Sequence, residues 1–297
     1  MLGTTESESP APVDSDGEAA GTDSDSTDSD AGDSRADGEA ESAAPERIVS
    51  LSPTVTEVAF AIGAGDQIVA ADSLSNYPPE APTTDLAAFE PNLEAIAEYD
   101  PDLVLLGYDI NDSVAGLEAI GIETLLLPDP ATLEDGYAQI IELGEATGHR
   151  SEADAVVAEI QSGIEAIVSD QPADAEPVRI YHEIDDSFYS VSSNSFVGQL
   201  YAVLGVVNIA DEADVDGFGY PQLSPEYILE ADPELIVITD DVAYGPDEVA
   251  ARPGWDSLTA VTTDDVIQVD ADIASRWGPR VVEFLTVISD ALTALRG

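Results

Sequence analysis

The clearest pattern of apolar and polar positions lies in the middle of the chain, in Ser151–Ser169. Apolar residues recur there at the spacing of one helix face, at Val156, Val157, Ile160, Ile164, Ile167 and Val168. Ser151 followed by Asp154 has the pattern of a capping box, and Pro172 predicts the end of the segment. Nineteen helical residues span roughly 28 Å at about 1.5 Å per residue. We therefore expect a stiff strut at the centre of the chain rather than a flexible linker.

Matching sequence blocks stand on both sides of this helix at a constant offset. The block from Glu94 to Leu103 carries Glu-x-Ile-x-Glu-x-Asp-Pro and returns as the block from Glu226 to Leu235, an offset of 226 − 94 = 132. Arg47 and Arg179 open a second matching pair of segments, and 179 − 47 is also 132. Two related lobes flanking the helix are the simplest interpretation.

Within each lobe, short apolar runs alternate with helical patterns. Strands are predicted at Arg47–Leu51, Gln67–Ala71, Leu103–Leu106, Glu123–Leu127, Arg179–Glu183, Leu235–Thr239 and Val266–Val269. Such alternation predicts a parallel sheet with helices on both faces. The expected fold class is α/β, with two doubly wound lobes joined by a long rigid helix and a ligand cleft between them. The expected domains are an acidic tail (1–45), a first lobe (46–130), connecting helices (131–172) and a second lobe (173–297).

Composition adds a strong electrostatic constraint. The net charge is −54, from 62 acidic and eight basic residues, and every basic residue is Arg. Such a chain should be repelled by nucleic acids and anionic membranes. Carboxylates spread over all segments are typical of a protein built for high salt, where the Debye length is about 3 Å at 1 M. A merely acidic protein from an ordinary environment is the alternative.

The first 45 residues have a composition of their own. They hold thirteen acidic residues and one Arg among many Ser, Gly and Ala, without apolar periodicity. No core can then offset the entropy lost on ordering, which predicts disorder. A flexible tether that lifts the folded part off a surface and a purely solubilising tail fit this composition equally well.

Several motifs together carry a family resemblance. Arg47–Ala71 (RIVSLSPTVTEVAFAIGAGDQIVAA), followed by Tyr77-Pro78-Pro79 and PNLEAIAEYDPDLVL, resembles the helical-backbone class of ABC-importer substrate-binding proteins. Members of this class capture cobalamin, ferric siderophores or haem outside the cell. The resemblance covers residues 46–296 and implies a protein that delivers a metal chelate to an ABC permease with its ATPase subunits. Cobalamin is the favoured ligand, and a ferric siderophore or haem is the alternative.

The resemblance also implies where and how the protein works. It is expected to be a monomer at the extracellular face of the cytoplasmic membrane, tethered by the acidic tail to an anchor that is not present in this chain. No resident cofactor, metal site or enzymatic activity is expected. One Glu per lobe, Glu94 and Glu226, matches the family positions that dock onto Arg residues of the permease. The alternative for both is an ordinary solvated carboxylate.

Arg276 matches a cleft Arg of the family, while Ser52 and Tyr108 follow predicted strands, at the end where open parallel sheets bind ligands. The expected ligand residues are Tyr108, Phe188, Tyr220, Arg276, Phe89 and Ser52. The first three match places where cobalamin-binding members carry cleft aromatics, and Phe89 lies near a place where those members carry Trp. Aromatic faces would bury a flat chelate, and a guanidinium suits carboxylate, amide or phosphate groups. The alternatives are core packing for each ring, a surface ion pair for Arg276 and a helix cap for Ser52. Trp277 and Arg280 are expected to be structural.

Other kinds of site have little support in the sequence. The chain has no Cys, and its only imidazoles are His149, expected in a solvated turn, and His182, expected in the core. This set is too small for the usual zinc site. No nucleophile elbow, P-loop or dinucleotide fingerprint occurs. An enzyme acting at the same cleft and a sensor without transport remain the alternatives from other classes, and a sensor would need neither Glu94 nor Glu226.

Overall fold

The first lobe is built on a four-stranded parallel sheet. The computed structural model describes residues 44–172 and 175–296, so nearly all of the predicted acidic tail lies outside the described residues. The strands are β1 (Ile48–Leu51), β2 (Ile68–Ala71), β3 (Leu103–Leu106) and β4 (Glu123–Leu126), in the order β2-β1-β3-β4. Strands β1 and β3 are buried along their whole length, as expected for parallel strands covered on both faces.

The second lobe repeats this topology. Its strands are β5 (Arg179–Glu183), β6 (Val207–Asn208), β7 (Leu235–Thr239) and β8 (Val266–Val269), in the order β6-β5-β7-β8. Ile180 pairs with Leu235 as Ile48 pairs with Leu103, so the offset of 132 is also the offset between equivalent strand positions. The predicted fold class of two doubly wound α/β lobes is confirmed.

Eleven α-helices occur in the described residues. They are α1 (Pro53–Ala61), α2 (Leu93–Ala97), α3 (Ser113–Ala119), α4 (Leu133–Thr147), α5 (Arg150–Asp170), α6 (Phe196–Val203), α7 (Pro225–Ala231), α8 (Pro246–Ala250), α9 (Thr259–Thr262), α10 (Ala271–Ser275) and α11 (Val281–Arg296). Side-chain oxygens of Ser52, Asn92, Ser195 and Ser224 cap α1, α2, α6 and α7 by accepting backbone N–H groups. None of the helices described combines the length and the apolar character that a bilayer crossing requires.

The connecting helix α5 lies where the apolar pattern predicts it. It has 21 residues, about 31 Å at 1.5 Å per residue. The predicted capping box is wrong, because α5 begins one residue before Ser151 and its N-cap, His149, makes no side-chain cap. Asp154 instead accepts a hydrogen bond from Arg150 Nε at 3.1 Å.

One hydrophobic core extends through both lobes. It combines Ile48 and Leu105 of the first sheet with Ile180 and Val237 of the second, and its remaining members include residues of α5 and α11. Two smaller clusters cover the outer faces of the sheets. The lobes therefore share their core, and the described residues behave as one compact unit.

Candidate functional site

A cleft of about 480 Å³ lies beyond the carboxyl ends of the first-lobe strands, and residues of the second lobe complete its lining. Its volume falls in the range of about 300–1,000 Å³ that is usual for small-molecule sites. Ser52 follows β1, Ser73 and Leu74 follow β2, Tyr108 follows β3, and Asp129 follows β4. This is the edge at which open parallel sheets bind ligands.

Five of the six predicted ligand residues line this cleft: Ser52, Phe89, Tyr108, Tyr220 and Arg276. The sixth, Phe188, is not among its lining residues. The Phe188 ring packs 6.2 Å from the ring of Trp255, and the Arg252 guanidinium lies 5.5 Å from its centroid. Phe188 thus belongs to the outer core cluster of the second lobe, as the packing alternative predicts.

An aromatic pair forms the first-lobe wall of the cleft. The rings of Phe89 and Tyr108 are 5.4 Å apart and tilted by 31°, and Tyr108 is 40 % exposed. The Tyr108 hydroxyl donates to Asp129 Oδ2 at 2.6 Å. Burial, followed by this hydrogen bond, raises the pKa of the Tyr108 phenol well above its ordinary value. Tyr108 therefore remains a neutral hydrogen-bond donor.

A second aromatic pair lies on the second-lobe side. Tyr220 lines the cleft, and the exposed ring of Phe218 meets it edge-on at 5.9 Å. Burial raises the pKa of the Tyr220 phenol, with a further contribution from the charge of Asp129. Phe218 and Asp129 were missed by sequence reasoning, although Asp129 follows a strand in the same way as Ser52 and Tyr108.

Arg276 reaches from the second lobe to the first. One of its terminal nitrogens donates to Asp272 Oδ1 at 2.6 Å and to the Leu74 carbonyl at 3.2 Å. The other donates to Asn76 Oδ1 at 2.9 Å and lies 3.5 Å from Glu57 Oε2. The side chain lines the cleft but is only 8 % exposed. Its charge is therefore held largely by groups of the protein.

Glu57 of α1 holds a second guanidinium as well. Arg280 donates to both of its carboxylate oxygens, at 2.6 and 2.7 Å. Arg280 also lies 4.1 Å from the ring centroid of Tyr77. Glu57 is 3 % exposed, so this ion pair is a buried link between the lobes. Arg280 thus has the structural role expected from the sequence, and Trp277 is a buried core residue.

Ser52 has a local structural role at the edge of the cleft. Its Oγ accepts a hydrogen bond from the Val55 N–H at 3.3 Å and so caps α1. A Cβ at Gly107 would lie 3.3 Å from this hydroxyl. The small residue at 107 thus lets the segment after β3 pass close to the start of α1.

The two candidate docking residues occupy equivalent places. Glu94 lies in the first turn of α2 and Glu226 in the first turn of α7, and both are exposed. Carboxylates in a first turn are favoured by the helix dipole. The geometry is compatible both with docking and with ordinary solvated carboxylates.

The two histidines lie outside the lining of the cleft. His182 is buried in β5, with Nδ1 2.8 Å from the Tyr201 hydroxyl, and burial lowers the pKa of its imidazole to about 4. It is the satisfied core histidine that the sequence predicts. His149 is only partly exposed, because it packs beside Gly63 at the start of α5.

A family model and several known proteins resemble this chain. A family model described as periplasmic binding protein matches residues 48–273. The vitamin B12-binding protein of Pectobacterium carotovorum is 30 % identical, over 85 % of this chain and 90 % of that protein. An uncharacterized ABC transporter substrate-binding lipoprotein of Bacillus subtilis is 29 % identical, over 84 % and 80 %. The structure of the periplasmic heme-binding protein RhuT from Roseiflexus has a TM-score of 0.75 at 25 % identity and covers 85 % of this chain and 99 % of that one.

Proposed function

Because this chain belongs to the periplasmic binding protein family, whose members are transport components rather than enzymes, we propose that it captures cobalamin and delivers it to an ABC permease. The observation that carries the proposal is the cleft at the strand ends, with Phe89 and Tyr108 on one wall and Tyr220 on the other. Aromatic faces bury a large flat body with little loss of side-chain freedom.

Cobalamin is preferred to other chelates for two reasons. Relatives at 28–30 % identity are vitamin B12-binding proteins. In addition, Tyr220 stands directly before Pro221-Gln222-Leu223-Ser224, the segment that resembles cobalamin-binding members. Phe89 in place of a Trp is the departure from that pattern. A ferric siderophore or haem is the alternative ligand at the same cleft.

The proposed contacts divide into stacking and polar groups. Phe89, Tyr108 and Tyr220 stack on the ligand, while Ser52 and the exposed edge of Arg276 meet polar groups at its rim. Phe188 is left out, because its ring packs on Trp255. Glu94 and Glu226 dock onto the permease at the extracellular face of the membrane.

Titration calorimetry in molar salt with cyanocobalamin, a ferric trihydroxamate and haem tests the proposal. We expect a one-to-one signal for cyanocobalamin that Tyr220→Ala weakens at least tenfold. Binding of another chelate alone would replace the ligand and keep the transport role. No binding of any of the three would refute the proposal. Tyr189→Ala is a matched control, because Tyr189 is as exposed as Tyr220 and does not line the cleft.

A further inference from the structure

The positive charge in the cleft is already neutralised by the protein. Within the described residues, Arg276 is the one basic side chain that lines the cleft. Two of its acceptors are carboxylates, Asp272 at 2.6 Å and Glu57 at 3.5 Å. Asn76 and the Leu74 carbonyl take further N–H groups. Few N–H groups of this guanidinium therefore remain to bind a carboxylate on a ligand.

Arg280 does not supply the missing charge. The Arg280 guanidinium donates to both oxygens of Glu57 and also lies against the ring of Tyr77. Glu57, Asp272, Arg276 and Arg280 together comprise two acids and two bases. This cluster is therefore neutral overall.

The residues that line the cleft therefore carry a net negative charge, which comes from Asp129. It is exposed, and it forms no ion pair within the part of the chain described. It lines the same cleft as both aromatic walls and accepts a hydrogen bond from the Tyr108 hydroxyl at 2.6 Å. A ligand that stacks on these rings lies close to this carboxylate.

The amino terminus of α1 also faces the cleft, but its positive potential offsets little of the negative charge of Asp129. A helix start favours anions through its free N–H groups. Pro53 has no N–H at this start, and Ser52 Oγ already accepts the N–H of Val55. An anion would therefore find few free donors here.

We infer that the cleft selects neutral or cationic metal chelates and discriminates against chelates that present carboxylates or other anionic groups. This inference rests on the proposed function and narrows its ligand class. It favours cobalamin or a ferric trihydroxamate with a terminal ammonium group. It disfavours haem, with its two propionates, and ferric catecholates or citrates.

Pairs of related ligands with and without a carboxylate give the test. One pair is cyanocobalamin and its monocarboxylate, in which one side-chain amide is hydrolysed. The other is a ferric trihydroxamate with a terminal ammonium group and its N-succinyl derivative. Binding to the full chain is measured by calorimetry in 1 M salt, where a Debye length of about 3 Å removes the long-range field of the protein. We expect the carboxylate form to bind about tenfold more weakly in each pair that binds.

The outcomes separate the inference from the proposed function. If a carboxylate form or haem binds as tightly as, or more tightly than, the uncharged or cationic probes, the inference is overturned and the transport proposal stands. If no probe binds, both fail. A tenfold preference for the uncharged or cationic member of a pair supports both.

A variant pair assigns the effect to the cleft. Asp129→Asn keeps an oxygen for Tyr108 and removes the charge, so the tenfold difference in Kd between the parent ligand and its carboxylate form should disappear. Asp66→Asn is the control, because Asp66 is exposed before β2, at the opposite edge of the first sheet. Equal discrimination in the two variants would overturn the role given to Asp129 and with it the inference.

Discussion

At Glu57 a single buried carboxylate holds guanidinium groups from the other lobe. Removing one partner of a buried ion pair leaves an uncompensated charge, which typically costs 3–5 kcal/mol. We therefore expect Glu57→Gln to lower the free energy of unfolding by about 3 kcal/mol, measured by chemical denaturation in molar salt. Glu94→Gln is the matched control on an exposed helix turn, where about 0.5 kcal/mol or less is expected. Similar losses in the two variants would contradict the buried link.

His182 predicts a pH dependence with a definite sign. Its imidazole has a pKa lowered to about 4 by burial, against about 6.5 in an unfolded chain. Between these values the unfolded state binds more protons, so stability is lost as the pH falls from about 6.5 towards 4. The full contribution of His182 to the free energy of unfolding is about 3 kcal/mol, because the two pKa values differ by about 2.5 and each unit corresponds to about 1.36 kcal/mol.

Proton NMR checks the His182 pKa directly. The chain has two histidines, so His149→Gln leaves one imidazole to follow. Its ring signals should not move between pH 8 and about 5. A titration centred near 6.5 would show that His182 is solvated, and the predicted loss of stability would then disappear.

Individual residues of the site differ in how far the sequence reveals them. Tyr108 is found by the rule that ligands meet the carboxyl ends of parallel strands, because a local strand pattern locates it. Glu57 cannot be recognised from the sequence as a link between the lobes, because its Arg partners lie 219 and 223 positions away. Phe188 was assigned to the cleft from resemblance, but Trp255 and Arg252 supply packing for its ring that only the fold reveals.

At the scale of elements, the sequence predicts the connecting helix and every strand of four or five residues, but not the two-residue strand β6. Helix α5 spans Arg150–Asp170, one residue more at each end than the predicted Ser151–Ser169. Strand β6 has two residues, too few for an apolar run to show, and it is held by parallel pairing with β5. The predicted capping box of α5 is wrong because the helix begins at Arg150, which puts Ser151 inside its first turn.

The repeated helices α2 and α7 carry the docking prediction. Charge reversal at both Glu94 and Glu226 should abolish ligand-stimulated ATPase activity of the reconstituted importer, because two acid–Arg contacts become repulsive. Binding of cyanocobalamin should stay within twofold, since neither residue lines the cleft. Glu98 and Glu230 form a control pair with the same offset of 132 and the same exposure. Equal losses in the control pair, or full stimulation after reversal of Glu94 and Glu226, would contradict docking.

At the scale of the whole molecule, the shared core limits how the lobes can move. Residues of both sheets and of α5 and α11 belong to one buried cluster, and Glu57 adds a buried ion pair across the lobes. Opening the cleft widely would expose this apolar surface and separate these charges. Ligand capture should therefore use a largely preformed cleft, with little entropy lost on closure.

The net charge of −54 leads to the last prediction. Self-repulsion destabilises a compact acidic chain, and the Debye length falls from about 30 Å at 0.01 M salt to about 3 Å at 1 M. For a domain of this size, each kcal/mol added to the free energy of unfolding raises the melting temperature by about 2–4 °C. Screening that adds a few kcal/mol should therefore raise the melting temperature by about 10 °C over this range of salt. Sucrose is the control, because it favours burial by exclusion without screening charge. Coinciding melts in low and molar salt, or an equal gain in sucrose, would show that repulsion among the carboxylates does not limit stability.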